Sequence, residues 1–415
     1  MSTLRPRPRP PAAVAACTML ATLFIAAILV AVPAMAADAL DAAPPDAWPM
    51  ARGCLAGTGR SAGAIRLPLA EAWHREFGKT AFAAVPVIAA GTVYVGDLDG
   101  VFHAVALDSG EPRWSFAVKD AGFSSAAAVG GEGDRRTVVV GDDVGVVRGL
   151  DAATGEVRWT YETDGEISGG PTILPAADGD RVLVGSQDAS LSCLDLVAGT
   201  LLWKHAIADQ IRCSPTVART AAGDRVFLAG CDGKLHVIDA ATGAETSAVP
   251  IDGPTGTTPA VDGDRVFFGT EGGVFFGIDF VKGEAAWRKA AVVAGQSYRS
   301  SAAIAGGSAI VGFRGKAVEA FALADGKQAW RRPMRGRVEA SPAVVSAAGP
   351  AATEARDVAF VADAAGSIAA LDAATGEPVW EFDAGGGFGG GAAIAAGRIV
   401  LASDDGTLWC FRSGE

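Results

Sequence analysis

A ten-residue phrase, Leu-Asp-Ala-Ala-Thr-Gly-Glu-Val-Arg-Trp at Leu150–Trp159, returns almost letter for letter at Leu371–Trp380. Degraded copies stand at Leu107–Trp114, Leu194–Trp203, Ile238–Ser247, Ile278–Trp287 and Phe321–Trp330, and a truncated copy at Phe411–Gly414. Their glycines are Gly110, Gly155, Gly199, Gly243, Gly283, Gly326, Gly376 and Gly414, spaced 38 to 50 residues apart. A period in the forties is that of a four-stranded propeller blade. The sequence therefore predicts an all-β fold: an eight-bladed β-propeller of four-stranded antiparallel blades.

Each unit divides into four short strands. In the third, Ile167–Leu174 reads as an inner strand and Asp178-Gly179-Asp180 as a turn. Arg181–Ser186 and Leu191–Asp195 follow as strands, and an outer strand surrounds Trp203. Gly and Asp sit where hairpins need them. Gly is abundant, at 54 of 415 residues, and breaks any helical stripe before it is established. Trp73 begins the first unit; Trp114, Trp159, Trp203, Ser247, Trp287, Trp330 and Trp380 begin the others.

The eighth unit runs out after its third strand. An open edge would leave unpaired backbone groups, so an N-terminal segment is expected to close the ring. The segment before Trp73, containing Trp48-Pro49-Met50-Ala51-Arg52-Gly53, aligns with no repeat and is the expected donor. Were it to lie beside the third strand of blade eight, Cys54 would approach Cys410, and a disulfide would close a very long loop. Two separate buried thiols are the alternative. Ser247 stands where other units have tryptophan, which marks its junction as the softest part of the ring.

The first 36 residues read as a signal peptide. Arg5, Arg7 and Arg9 precede an apolar stretch from about Ala12 to Val32, and Ala34-Met35-Ala36 is a small-x-small cleavage pattern. A retained membrane anchor is the alternative. Cys17 lies in a lipoprotein-like Val-Ala-Ala-Cys, but the apolar region follows it instead of preceding it. The domains are then 1–36, signal peptide; 37–72, linker and closing segment; and 73–415, the propeller. The expected location is periplasmic or secreted. The net charge is −12, and removing the leader's three arginines makes the rest more acidic. That argues against nucleic acid and for at most a peripheral membrane role.

The recurring Ala/Gly-x-Asp-x-x-Thr-Gly-x-x-x-Trp resembles the tryptophan-docking motif of PQQ-like (quinoprotein-type) β-propellers, with Gly149–Trp159 and Ala370–Trp380 the fullest matches. The resemblance runs from about Trp48 to the C-terminus. It implies a structural role for the docking residues Trp73, Trp114, Trp159, Trp203, Trp287, Trp330 and Trp380. It also implies two functional groups: dehydrogenases that bind PQQ and calcium on the propeller axis, and the cofactor-free eight-bladed lipoprotein of the outer-membrane β-barrel assembly machinery. Fold alone does not choose between them.

The chemistry-bearing residues favour a scaffold. The adjacent cysteine pair of the quinoprotein alcohol dehydrogenases has no counterpart, and no Cys-x-x-Cys, His-Glu-x-x-His or Gly-x-Ser-x-Gly occurs. His74, His103, His205 and His236 are isolated in sequence. The acidic runs at Asp97, Asp142 and Asp404 fall at repeated hairpin turns. No catalytic, cofactor or metal residues are assigned. One ring of equivalent positions opens the inner strands: Ala83, Phe123, Ser168, Arg212, Gly256, Arg299, Glu339 and Gly389. Arg212 and Arg299, with Tyr298 alongside and Glu339 in the same ring, are candidates for holding an anion or acidic peptide. The alternative is a solvated ring in which Glu339 pairs with one arginine. The reading is a non-catalytic exported scaffold, a monomer or part of a complex, that binds a protein or an envelope polymer. A PQQ-dependent oxidoreductase and an outer-membrane assembly factor are the alternatives.

Overall fold

In the computed structural model the chain divides into Met1–Ala34 and Met35–Glu415. Residues 1–2, 42–349 and 355–414 are described. The expected leader and Cys17 fall outside them.

The second unit is an eight-bladed propeller. Inner strands of blades one to seven begin at Val87, Ala128, Thr172, Thr216, Ala260, Ala303 and Ala343, and that of blade eight at Ala393. Blade three is Thr172–Leu174, Arg181–Gly185, Ser190–Asp195 and Leu201–Ala206, paired in that order and antiparallel throughout. The second strands are almost wholly buried, as in Thr92–Gly96 and Thr137–Gly141. They are packed on both faces by neighbouring blades, and their Val-rich runs suit that position.

The docking phrase builds both a turn and a joint. In blade two, Asp151 Oδ1 accepts from the amides of Ala153 and Thr154 at 2.8 and 2.9 Å. The Gly155 amide donates to the Asp151 carbonyl at 2.8 Å, with Gly155 at φ +76°. Trp114, from the preceding blade, lies flat on that glycine: a Cβ there would stand 2.5 Å from its ring. Its Nε1 donates to the Ala152 carbonyl. The other six tryptophans make the same indole-to-carbonyl bond onto the next blade, Trp73 to Leu107, Trp159 to Leu196, Trp203 to Ala240, Trp287 to Leu323, Trp330 to Ala373 and Trp380 to Leu69. Burying an indole this way removes a large apolar area from water while its N–H stays satisfied.

The ring closes differently from the expectation in one respect. The fourth strand of blade eight is Ala70–Glu76, the strand that carries Trp73, with Trp73 opposite Cys410. The Trp48 segment does other work. The amides of Ile88, Val129, Val217, Val261, Ile304 and Val344 are equivalent second residues of six inner strands. They donate to the carbonyls of Trp48, Pro49, Leu55, Ala56, Thr58 and Gly59 in turn. The segment thus runs around the channel wall and satisfies inner edges that would otherwise be unpaired. It continues as Arg60–Arg66, parallel to the inner strand of blade seven. Cys54, on this segment, lies in a core cluster with blades four and five, whereas Cys410 lies in the cluster of blade eight. Both are free, buried thiols, as the alternative to a bridge has it.

Candidate functional site

Sequence alternation sets what faces the channel. Where each inner strand opens, one residue points into the interblade core and the next to the axis. Ala83, Ser124, Ser168, Arg212, Gly256, Arg299, Glu339 and Gly389 all line one axial cup of about 200 Å³. One ring assignment shifts by one residue. Phe123 is fully buried, and Ser124 takes its place in the ring. Tyr298 is likewise buried, and its hydroxyl donates to Glu319 Oε2 at 2.7 Å. Tyr298 therefore belongs to the core, where burial pushes its phenol far above its usual range, and it does not meet the channel.

One layer deeper, hydroxyls knit adjacent blades together. The Ser214 amide donates to Thr258 Oγ1, the Thr258 amide to Ser301 Oγ, and the Ser301 amide to Ser341 Oγ, at 3.2, 2.9 and 2.9 Å. These bonds fix blades four to seven, which carry the charged part of the rim.

The rim is arranged around Glu271, not Glu339. Glu271 Oε1 lies 3.4 Å from Arg212 Nη1 and 3.8 Å from Arg299 Nη2. Arg212 also donates through Nε and Nη2 to Gln210 Oε1 at 3.0 and 2.9 Å. Glu339 faces Arg314, with 2.8 Å between Oε1 and Nε. The side chains of Arg212, Arg299 and Glu271 are 39, 48 and 29 % exposed. Ion pairs this wet and this long contribute about 0–1 kcal/mol, so an incoming carboxylate competes with Glu271 on even terms.

The floor of the cup is the residue that the sequence reading passed over. Ala51 and Arg52 line it. Arg52 is 5 % exposed. Its Nη2 donates to the carbonyls of Ala302 and Pro342 at 2.9 and 2.8 Å, its Nε has no hydrogen-bond partner, and it forms no ion pair among the described residues. Burial lowers its pKa to about 10. A buried cation without a counter-ion costs several kcal/mol. A buried arginine that lines a cavity and lacks a carboxylate is an incomplete anion site. The available signal was the nonrepeating Trp-Pro-Met-Ala-Arg-Gly run itself: a charged residue inside a segment destined for the axis.

The acidic hairpins at Asp97 and Asp142 are structural, and at the Asp404 turn Ser403 Oγ takes the aspartate's place by accepting from the Thr407 amide. Asp97 Oδ1 accepts from the amides of Asp99 and Val101, and Asp142 and Asp363 repeat the pattern. Burial acts to raise the Asp97 pKa. The hydrogen bond with His103 and the two amides outweigh that and hold it below the usual carboxylate range. His205 and His236, isolated in sequence, stand with their rings 6.4 Å apart.

A family model described as outer membrane protein assembly factor BamB matches residues 70–220, 211–343 and 314–414. No curated protein matches the sequence. Among solved structures, BamB from Moraxella catarrhalis is similar at TM-score 0.64 and 20 % identity, covering 83 % of this chain and 98 % of that one. Quinohemoprotein alcohol dehydrogenase from Comamonas testosteroni is similar at TM-score 0.71 and 16 % identity, covering 91 % and 83 %. A europium-containing methanol dehydrogenase is similar at TM-score 0.69 and 13 % identity, covering 89 % and 98 %. At these identities the likenesses establish the fold alone.

Proposed function

The chain belongs to the family of the outer membrane protein assembly factor BamB, and from that premise we propose that it is a non-catalytic scaffold of the bacterial cell envelope. Its role lies in outer-membrane protein assembly, and it takes an acidic group of a partner protein into the channel cup. The observation that carries this reading is Arg52, a buried cation at the floor of a cup whose rim holds Arg212 and Arg299. A cavity of about 200 Å³ holds roughly six waters. That is room for one carboxylate side chain or chain terminus entering from above. Charge-assisted hydrogen bonds to arginine are about twice as strong as neutral ones, and in a desolvated floor they act with little competition from water. The leader-like N-terminus agrees with an envelope location.

PQQ and calcium do not fit the residues of the cup. Calcium takes six to eight oxygen ligands, several of them carboxylate. Among the described residues, the carboxylates of the cup and its rim are already engaged: Glu339 faces Arg314, Glu271 faces Arg212 and Arg299, and Glu166 accepts from Ser124. A guanidinium, not an anion, occupies the floor. No redox step is therefore assigned.

Photocrosslinkers placed at Gly256 on the rim, and at Asp178 away from it, test the reading in envelope membranes. The expected result is one outer-membrane assembly component captured from Gly256 and lost on Arg212→Glu or Arg299→Glu. PQQ with calcium binding the purified chain and supporting dye reduction with alcohols would overturn it.

A further inference from the structure

We propose that His205, His236 and Glu245 form a site for one divalent transition-metal ion of the zinc class, joining blade three to blade four. His205 lies on the outer strand Leu201–Ala206 of blade three, two residues beyond Trp203. By strand alternation it faces blade four, as Trp203 does. His236 lies on the third strand of blade four, Lys234–Asp239, and Glu245 opens the outer strand Glu245–Pro250. The three donor atoms lie within 4.8 Å of one another.

One ligand atom of the set, His205 Nε2, is left without a hydrogen-bond partner. His236 Nδ1 is 2.6 Å from Glu245 Oε2, and His205 Nε2 is 3.8 Å from the same oxygen. Behind His236, Asp232 Oδ1 and Oδ2 lie 3.2 and 3.1 Å from Nε2. The Asp232 and His236 side chains are each 4 % exposed. A carboxylate behind a histidine is the usual device for fixing the tautomer of a metal ligand. With Nε2–H donated to Asp232, the Nδ1 lone pair points at the Glu245 carboxylate, two acceptors at hydrogen-bond distance. A shared proton relieves that contact. It does nothing for His205 Nε2, which is buried without a hydrogen-bond partner. A metal ion satisfies all three at once.

Two imidazoles and one carboxylate suit zinc, with water as the fourth ligand. Ligands around tetrahedral zinc stand roughly 3.3 Å apart, given metal–ligand distances near 2.0–2.1 Å. The donors, 2.6 and 3.8 Å from the Glu245 oxygen and all within 4.8 Å of one another, bracket that spacing. Glu245 is 38 % exposed and gives the ion a path in. The ion would act as a clamp between the outer strands of two blades.

The test uses the untagged full chain after chelation, titrated with zinc chloride by calorimetry and with cobalt chloride by visible absorption. The expected result is one site per chain, with the cobalt spectrum of a four-coordinate nitrogen and oxygen site. His205→Ala and Glu245→Gln each weaken binding at least tenfold with circular dichroism unchanged. Asp232→Asn still binds but about 10–100-fold more weakly. A wild-type chain without the four-coordinate cobalt spectrum, or His205→Ala binding with unaltered affinity, would overturn the proposal.

Discussion

The junction from blade three to blade four and the junction from blade four to blade five differ in what covers the docking turn. In the first, Trp203 lies on Gly243, where a Cβ would stand 2.5 Å from the indole. In the second, Ser247 takes the tryptophan position, and a Cβ on Gly283 would meet nothing within 4 Å. The turns beneath are nonetheless alike. Gly243 and Gly283 have φ of +73° and +72°, and each amide donates to the carbonyl of the preceding aspartate, Asp239 or Asp279. The turn is therefore made locally, by an aspartate and a left-handed glycine, and the tryptophan is added to it. What the second junction has instead is Phe280. It stands where the other blades have Leu107, Ala152, Leu196, Ala240, Leu323 and Ala373, is 9 % exposed, and packs edge-on at 4.7 Å against Phe227. A phenyl ring rising from the turn itself thus fills part of the space that an indole covers at the other junctions.

Four measurements test that contrast. Trp203→Ala is expected to lower unfolding free energy by about 3 kcal/mol, the lower end for large aromatic truncations, whereas Ser247→Ala changes it by about 0.5 kcal/mol or less. Equal denaturation midpoints for the two variants would end the comparison. Next in size, Gly243→Ala and Gly283→Ala both put a side chain at positive φ, at about 1–2 kcal/mol each. Gly243→Ala also drives its methyl into Trp203, adding about 1–3 kcal/mol of overpacking. Identical midpoints would show that Trp203 moves aside freely. Hydrogen exchange should then find amides around Ser247 opening about tenfold faster than those around Trp203. Equal protection would mean that Phe280 compensates in full.

The smallest effect concerns pH, and here the junctions should agree. For Asp239, burial acts to raise the pKa but the Thr242 hydroxyl and amide outweigh it. For Asp279, the Lys282 amide and ammonium are the main causes of lowering. Both folded pKa values lie below the ordinary 3.8. Each turn's contribution is thus complete above about pH 3.8 and is lost as pH falls through the depressed value. Carboxyl NMR titration should place both midpoints below 3.8, and a normal midpoint at Asp279 alone would tie turn formation to the tryptophan.

Period and docking chemistry made the blades legible in the sequence, because each phrase carries its own turn residues and its own apolar plate. The axis was less legible for a physical reason. The Trp48–Gly59 segment binds the inner strands through backbone carbonyls, which leave no residue signature. Phe123 fell on the wrong side because an alignment error of one residue exchanges channel for core, and Tyr298 because it faces the opposite way from its neighbour Arg299. Arg52 was hidden inside a nonrepeating stretch. His205 and His236 lie on different blades and meet only after those blades pack, so no spacing rule joins them.

The pairing of Ala70–Glu76 with Thr407–Arg412 has a kinetic meaning. Arg66 and Ser413, which hydrogen-bond beside this seam, are 347 residues apart. Contacts of such range make folding slow, and this one is also the contact that turns an arc of blades into a ring. A folding chain can stack its early blades in order, yet Ala70–Glu76 stays unpaired until Thr407–Arg412 reaches it. Such an edge recruits other strands. The open edge thus persists until the ring shuts, and a chaperone that shields one exposed edge until then would do the most good.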